Sequence, residues 1–202
     1  MKIKLLLLAI LYILVTSSFA AANPFDDASA AYERGDYVQA VKVFRQLAEQ
    51  GHQWAQRRLG SMYAEGRGVP QDYREALKWY RVAAAQGYAP AEYSLGLAYE
   101  EGRGVGQDYQ EAVKWYRLAA AQGNESAPVN LGVMYTKGRG VRQDFVRAYA
   151  WFDVAAAESS GDSRGTATKK RDRIAAKMTA EQIGTAQEIA RRCQESKLKN
   201  CE

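Results

Sequence analysis

Apolar residues return along this chain on two nested spacings, every three to four residues within a segment and every 36 residues between segments. In the stretch Gly51 to Gln86, the residues Ala55, Leu59, Met62 and Tyr63 fall at i, i+4, i+7 and i+8, one face of a helix. Gly66 follows at once and suits the left-handed residue that ends a helix. Arg67 to Gln71 then form a loop that turns the chain back. Asp72 opens a second helix as its N-cap, with Glu75 placed for the reciprocal bond; Asp108 with Glu111 and Asp36 with Gln39 share the pattern. Asp144 keeps the cap but has Arg147 at the partner position. The second stripe is Ala76, Trp79, Tyr80, Ala83 and Ala84, and Gly87 closes it. The spacing predicts two antiparallel helices joined by a glycine-punctuated loop.

This unit occurs three times, at Gly51 to Gln86, Gly87 to Gln122 and Gly123 to Glu158. Ala55, Leu59, Gly60 and Tyr63 return as Ala91, Leu95, Gly96 and Tyr99, then as Ala127, Leu131, Gly132 and Tyr135. Ala76, Trp79 and Tyr80 return as Ala112, Trp115 and Tyr116, then as Ala148, Trp151 and Phe152. A period of this length predicts an all-α stack in which each unit buries a face against its neighbours. Glycine inside a helix costs about 1 kcal/mol relative to alanine. Its recurrence at Gly60, Gly96 and Gly132 therefore predicts that the missing side chain lets a neighbouring helix backbone come close. The Trp–Tyr pairs are expected to fill the core beside them.

The ends read differently. Residues 23–50 predict a hairpin with a tight turn, because only three residues separate Tyr32 from Asp36. Residues 159–202 predict a terminal cap: a polar linker from Ser159 to Gly165, then helices over about 166–177 and 180–194. Thr179 and Gln182 have the form of a capping box at the start of the second.

The wording common to the three units, with Leu-Gly and Tyr in the first helix, Gly-Arg-Gly-Val in the loop and Ala-x-x-Trp-Tyr in the second helix, closely resembles the Sel-one-like repeat, a relative of the tetratricopeptide repeat. The resemblance covers Gly51 to Glu158, and the hairpin before it looks tetratricopeptide-like. It implies a right-handed α-solenoid of stacked antiparallel helical hairpins, a tetratricopeptide-like superhelix, and an adaptor or scaffold role in multiprotein complexes. Bacterial members of the family are often exported and regulate signalling or meet host proteins. Some are cysteine-rich, with a bridge in each repeat and penicillin-binding or hydrolysing activity. This chain has no cysteine within residues 51–158, so that activity is not carried over.

Residues 1–22 have the plan of a secretory signal peptide: Lys2 and Lys4, an apolar run from Leu5 to Val15, then small residues through Ala22. The run is too short to span a bilayer, which needs about 20 residues, and cleavage is expected after Ala20 or Ala22. The expected product is a periplasmic or secreted protein with no stable membrane insertion. Without Lys2 and Lys4, the remaining Lys and Arg against 23 Asp and Glu leave a formal charge of +3. Both signs are interspersed, so nucleic acid is not an expected partner. The basic stretch Lys169, Lys170, Arg171, Arg173, Lys177, Arg191 and Arg192 alternates with acids and reads as a solvated helix surface. Cys193 and Cys201 sit close enough in sequence to close a small loop in an oxidising compartment; free thiols and pairing between chains are the other readings. Two cysteines and one histidine supply no zinc site, and no cofactor is expected.

In a stack of hairpins the first helices line the concave side, so their positions away from the core stripe are the candidate binding surface. In the first unit these are Arg57, Ser61 and Ala64, in the second Tyr93, Leu97 and Glu100, in the third Val129, Val133 and Thr136. Arg57, Ser61, Tyr93, Leu97, Glu100, Val129 and Val133 are the residues expected to meet another protein or a peptide segment; packing against the next unit is the competing account. Arg67, Arg103 and Arg139 recur in the loops and are expected to staple them to helix-end carbonyls. His52 stands alone, Glu100 and Glu101 point about 100° apart, and Gly66-Arg67-Gly68 follows a helix rather than a strand, so no catalytic constellation is expected. The expected function is that of a non-catalytic interaction module or scaffold for an envelope or signalling complex. A secreted factor acting on a host or competitor protein, and a cell-wall glycan-binding protein or hydrolase-like member of the family, are the alternatives.

Overall fold

The computed structural model describes residues 23–198 and 201; the leader expected over residues 1–22 lies outside them. Ten α-helices and no strand occur among the described residues. They are α1 (Pro24–Glu33), α2 (Tyr37–Glu49), α3 (Gln53–Glu65), α4 (Tyr73–Ala84), α5 (Ala89–Glu101), α6 (Tyr109–Ala121), α7 (Ala127–Lys137), α8 (Phe145–Glu158), α9 (Gly161–Ala175) and α10 (Ala180–Glu195). Packing follows chain order: α3 on α4, α5 on α6 and α7 on α8 within units, and α2 on α3, α4 on α5 and α6 on α7 between them. The buried side chains gather in clusters that cross the unit boundaries. Phe44 of α2 joins Leu59 and Met62 of α3, Leu77 and Tyr80 of α4 join Leu95 of α5, and Tyr116 of α6 joins Leu131 and Met134 of α7. A unit alone therefore cannot complete its core, as a solenoid requires.

Helix ends are set by the residues the spacing pointed to. Gly66, Gly102 and Gly138 end the first helices in the left-handed region, at φ of 69°, 71° and 66°. Asp72 accepts the backbone N–H groups of Arg74 and Glu75, Asp108 those of Gln110 and Glu111, and Asp36 and Asp144 one each. The reciprocal half of the box is not made at these sites. Glu75 pairs with Lys78 at 2.6 Å and Glu111 pairs with Lys114, because a lysine one turn on offers the carboxylate a charged donor. Among the described residues both halves of the box occur at Thr179 and Gln182.

The small-residue positions work through a ring rather than through backbone contact. A Cβ on Gly60 would lie 2.7 Å from the Tyr80 ring, and one on Gly96 or Gly132 would lie 2.5 Å from Tyr116 or Phe152. Each glycine is the seat of the aromatic ring from the unit's second helix. Those rings are the core: Tyr80, Tyr116 and Phe152 are all buried, Tyr116 completely. The tryptophans beside them are not equivalent. Trp79 and Trp115 are half-buried and reach the cluster of the preceding units, and Trp151 alone of the three is buried.

The C-terminal end differs from the expected linker and hairpin. α9 begins at Gly161, so residues 161–165 are helical and the connection shrinks to Ser159 and Ser160. Ser160 is extended, and the Arg164 Nε–H donates to the Ser159 carbonyl at 2.9 Å, which anchors the early turn. α9 and α10 both pack on α8 rather than chiefly on each other. The tail after α10 folds back so that Cys201 pairs with Cys193, their Cα atoms 4.4 Å apart.

Candidate functional site

All seven candidate residues sit on the first helices and all are half-buried, which places them between the fully exposed face and the core. Two of them serve their own unit. The Ser61 hydroxyl donates to the Arg57 carbonyl at 3.2 Å and accepts from the Tyr80 hydroxyl at 3.3 Å. Glu100 accepts the Tyr116 hydroxyl at 2.7 Å; burial first, then that carboxylate, raises the Tyr116 pKa far above the ordinary phenol range. Phe152 has no hydroxyl, and Thr136 there donates instead to the Gly132 carbonyl at 2.7 Å. Arg57 keeps its Nε buried without a partner.

The other four line clefts that open between consecutive units. Leu97 lies with Ala64, Tyr80 and Ala98 in a cleft of about 110 Å³ between units 1 and 2, rimmed by the Glu101–Arg103 ion pair at 2.8 Å. Tyr93 and Val129 line a cleft of about 330 Å³ between α7 and α9. There the Tyr93 hydroxyl accepts from Asn130 Nδ2 at 3.4 Å, its ring leans on Tyr116 at 5.6 Å, and burial raises its pKa. Val133 lies in a third cleft of about 190 Å³ with Phe152 and Ile174. The structure thus brings Tyr93 and Val129 together, and sets Arg57, Ser61 and Leu97 apart from them.

Sequence reasoning missed the charged walls of the last two clefts, Glu125 and Asp162 in one and Lys137, Lys170 and Arg173 in the other. Two cations of the stretch expected to be a solvated surface, Lys170 and Arg173, line a cleft, and Arg171 pairs with Asp153 at 2.8 Å. The signal was the period itself: Ser126 to Asp162, Asn130 to Thr166 and Lys137 to Arg173 are each 36 residues apart, so α9 continues the row of first helices.

The loop arginines staple one unit to the one before it, through rings rather than helix-end carbonyls. Arg67 lies over Tyr37, Arg103 over Tyr73 and Arg139 over Tyr109, at 5.5, 5.7 and 5.2 Å from the ring centroids. The glycine after each arginine completes the contact. A Cβ on Gly104 would meet the Tyr73 carbonyl at 2.5 Å, and Gly68 and Gly140 abut Tyr37 and Tyr109 in the same way, all with positive φ. Among the described residues no group of three or more His, Cys, Asp or Glu is placed to hold a metal ion, and no helix is long and apolar enough to cross a membrane.

Comparison with known proteins agrees with this geometry. The family model for the Sel1 repeat matches residues 29–52, 55–88, 89–124 and 127–160, and so extends into the hairpin of α1 and α2. Among solved structures, the chain is similar to a protective antigen present in uropathogenic Escherichia coli strains displaying an SLR fold (TM-score 0.72, 32% identity, 94% of this chain and 45% of that one). It is also similar to a Sel1 repeat protein from Oxalobacter formigenes (TM-score 0.64, 33% identity, 70% of this chain and 57% of that one). This chain therefore spans about half the length of these solved relatives. No match is found among curated proteins. Sel1 repeats are generally protein–protein interaction modules. With helical hairpins stacked on a 36-residue period, a Gly-Arg-Gly loop inside each of the three regular ones and the family model matching over half its length, the chain belongs to the Sel1 repeat family.

Proposed function

We propose that this chain is an exported, non-catalytic module that binds another protein, or a peptide segment of one, along the face of its first helices, and so assembles or regulates an envelope or signalling complex. The observation that carries this reading is the placement of Leu97, Tyr93, Val129 and Val133 in clefts that open between units 1 and 2 and between unit 3 and α9. Apolar side chains left half-buried in a row of small clefts suit anchors from a partner, where interface energy concentrates in a few buried contacts. Arg57, Ser61 and Glu100 complete the proposed surface. The leader pattern supports export, to the periplasm or beyond, with cleavage after Ala20 or Ala22. The Escherichia coli relative is a protective antigen, which is in keeping with export.

Photo-crosslinking in cells tests the surface directly. A photoreactive phenylalanine analogue at Leu97 or Val133 should give a discrete adduct with one partner. The same analogue at Val82 or Leu118, apolar positions of the second helices that are 45% and 48% exposed, should not. Adducts from Val82 and Leu118 alone would move the binding face to the second helices and overturn the proposal.

A further inference from the structure

Two of the clefts lie between the same pair of helices and are one turn apart, because Val129 and Val133 on α7, and Thr166 and Lys170 on α9, are successive turns of one row. Their charges are opposite. At one end Glu125 and Asp162 stand beside the Tyr93 ring. Glu158 lies near enough to feel them: burial first, then the charge of Glu125, raises its carboxyl. At the other end Lys137, Lys170 and Arg173 surround an apolar floor of Val133, Phe152 and Ile174, and none of the three cations makes an ion pair among the described residues. The equivalent cleft between units 1 and 2 is neutralised by its own Glu101–Arg103 pair. Helix-end fields account for an acid at the start of α9 and a base at the end of α7, but they fade within a turn. Lys170 lies more than a turn before the end of α9.

We infer that the groove between α7 and α9 binds an extended segment of a partner protein carrying apolar side chains between a basic group at one end and an acidic group at the other. The inference rests on the interaction reading above and gives the partner a chemistry. From Ser126 to Lys137 the groove runs about 16 Å at 1.5 Å per residue, the reach of about five residues of extended chain. The clefts, about 330 and 190 Å³, stand at or below the small end of ligand pockets, so they suit single side chains rather than a cofactor. At the acidic end a lysine or arginine would meet the carboxylates of Glu125 and Asp162 in the cleft that Tyr93 lines. At the basic end a carboxylate would meet Lys170 and Arg173 above the apolar floor.

The test uses the purified chain and three fluorescent pentapeptides with capped ends, Lys-Val-Leu-Val-Glu and its Lys/Lys and Glu/Glu counterparts, read by anisotropy at low salt. The mixed peptide should bind about tenfold more tightly than either counterpart, the cost of one mismatched charge at a half-buried end. Lys170→Glu with Arg173→Glu should shift the preference to the Lys/Lys peptide, and Glu125→Lys with Asp162→Lys to the Glu/Glu peptide. Melting curves establish that each variant is folded; if a double reversal is not, Lys137→Glu alone should shift the preference in the same direction by less. Equal binding of the three peptides, or binding of none, overturns the inference. The interaction reading is judged separately: a Leu97 or Val133 crosslink that survives both reversals leaves it standing, whereas loss of every crosslink in the unaltered chain removes it.

Discussion

The junction between units 1 and 2 and the junction between unit 3 and the cap each set a cation over the ring at the head of a second helix, by different means. In the first, the Arg103 loop of unit 2 reaches back over Tyr73, Gly104 abuts the Tyr73 backbone, and Glu101 neutralises the arginine. In the second no Gly-Arg-Gly loop follows. Phe145 stands where Tyr73 and Tyr109 stood, and Lys177, just past the end of α9, lies over its ring at 5.6 Å. α10 covers α8, and the Cys193–Cys201 pair closes the tail. The repeated residues are thus those that stack units, and the departures from the repeat are those that end the stack or charge its surface.

The comparison can be broken at its strongest point by Gly104→Ala. A left-handed alanine costs about 1–2 kcal/mol and overpacking about 1–3 kcal/mol, so denaturant unfolding should show a loss of roughly 2–5 kcal/mol. Gly106→Ala, where a Cβ would meet nothing within 4 Å, is the control and should be close to neutral. At the other junction, Cys193→Ser with Cys201→Ser opens a loop of sequence separation 8. That should cost about 2–3 kcal/mol in the chain-entropy account. Hydrogen exchange should place the loss in α10 and α8 and leave α3 to α5 protected.

A third junction position sharpens the contrast by charge. Gln56 is buried, its Nε2 donating to the Ala48 carbonyl at 3.1 Å and its Oε1 accepting from Gln86 at 2.7 Å. One unit later the residue is Glu92, also buried, with Oε2 unpartnered. Burial holds its carboxyl above the usual range, so the folded chain keeps a proton that the unfolded chain releases. Stability from this group is fullest below the unfolded pKa, about 4.3, and falls as pH rises through the folded value. Glu92→Gln should remove that slope and raise stability at neutral pH by about 1 kcal/mol. A melting temperature that falls at pH 7 and keeps its pH dependence would refute this. The smallest effects belong to Arg103→Ala and Lys177→Ala, about 0.5–1 kcal/mol each for an exposed cation over a ring. Their near equality in paired melts would show that the lysine does at the cap what the arginine does between units.

Much of this was legible in the sequence for one physical reason: a feature that recurs at a fixed offset has to satisfy the same contact each time. The helices, the glycine ends and the aspartate caps were read from that rule. What recurrence could not say is which neighbour each residue touches. The tryptophans and the tyrosines beside them recur equally, yet Tyr116 is fully buried in the cluster it shares with the following unit while Trp115 is half-buried against the preceding one. A glycine in a helix marked a close approach without telling ring from backbone. The candidate surface was legible only as a set of variable positions. Its charged walls lie partly on α9, where Leu131 gives way to Ala167 and Tyr135 to Arg171, and the apolar signal of the repeat fades although its geometry persists.

The backward reach of the loops bears on how such a chain can change its length. A copy of one whole 36-residue unit from the regular stack contains one aromatic ring at the head of its second helix, Tyr73, Tyr109 or Phe145, and one Gly-Arg-Gly. The copy therefore arrives with a grip for its predecessor and a ring for its successor. Duplication or loss of one period leaves no contact of this kind unmatched, so lineages can lengthen or shorten the scaffold in whole steps without first inventing an interface.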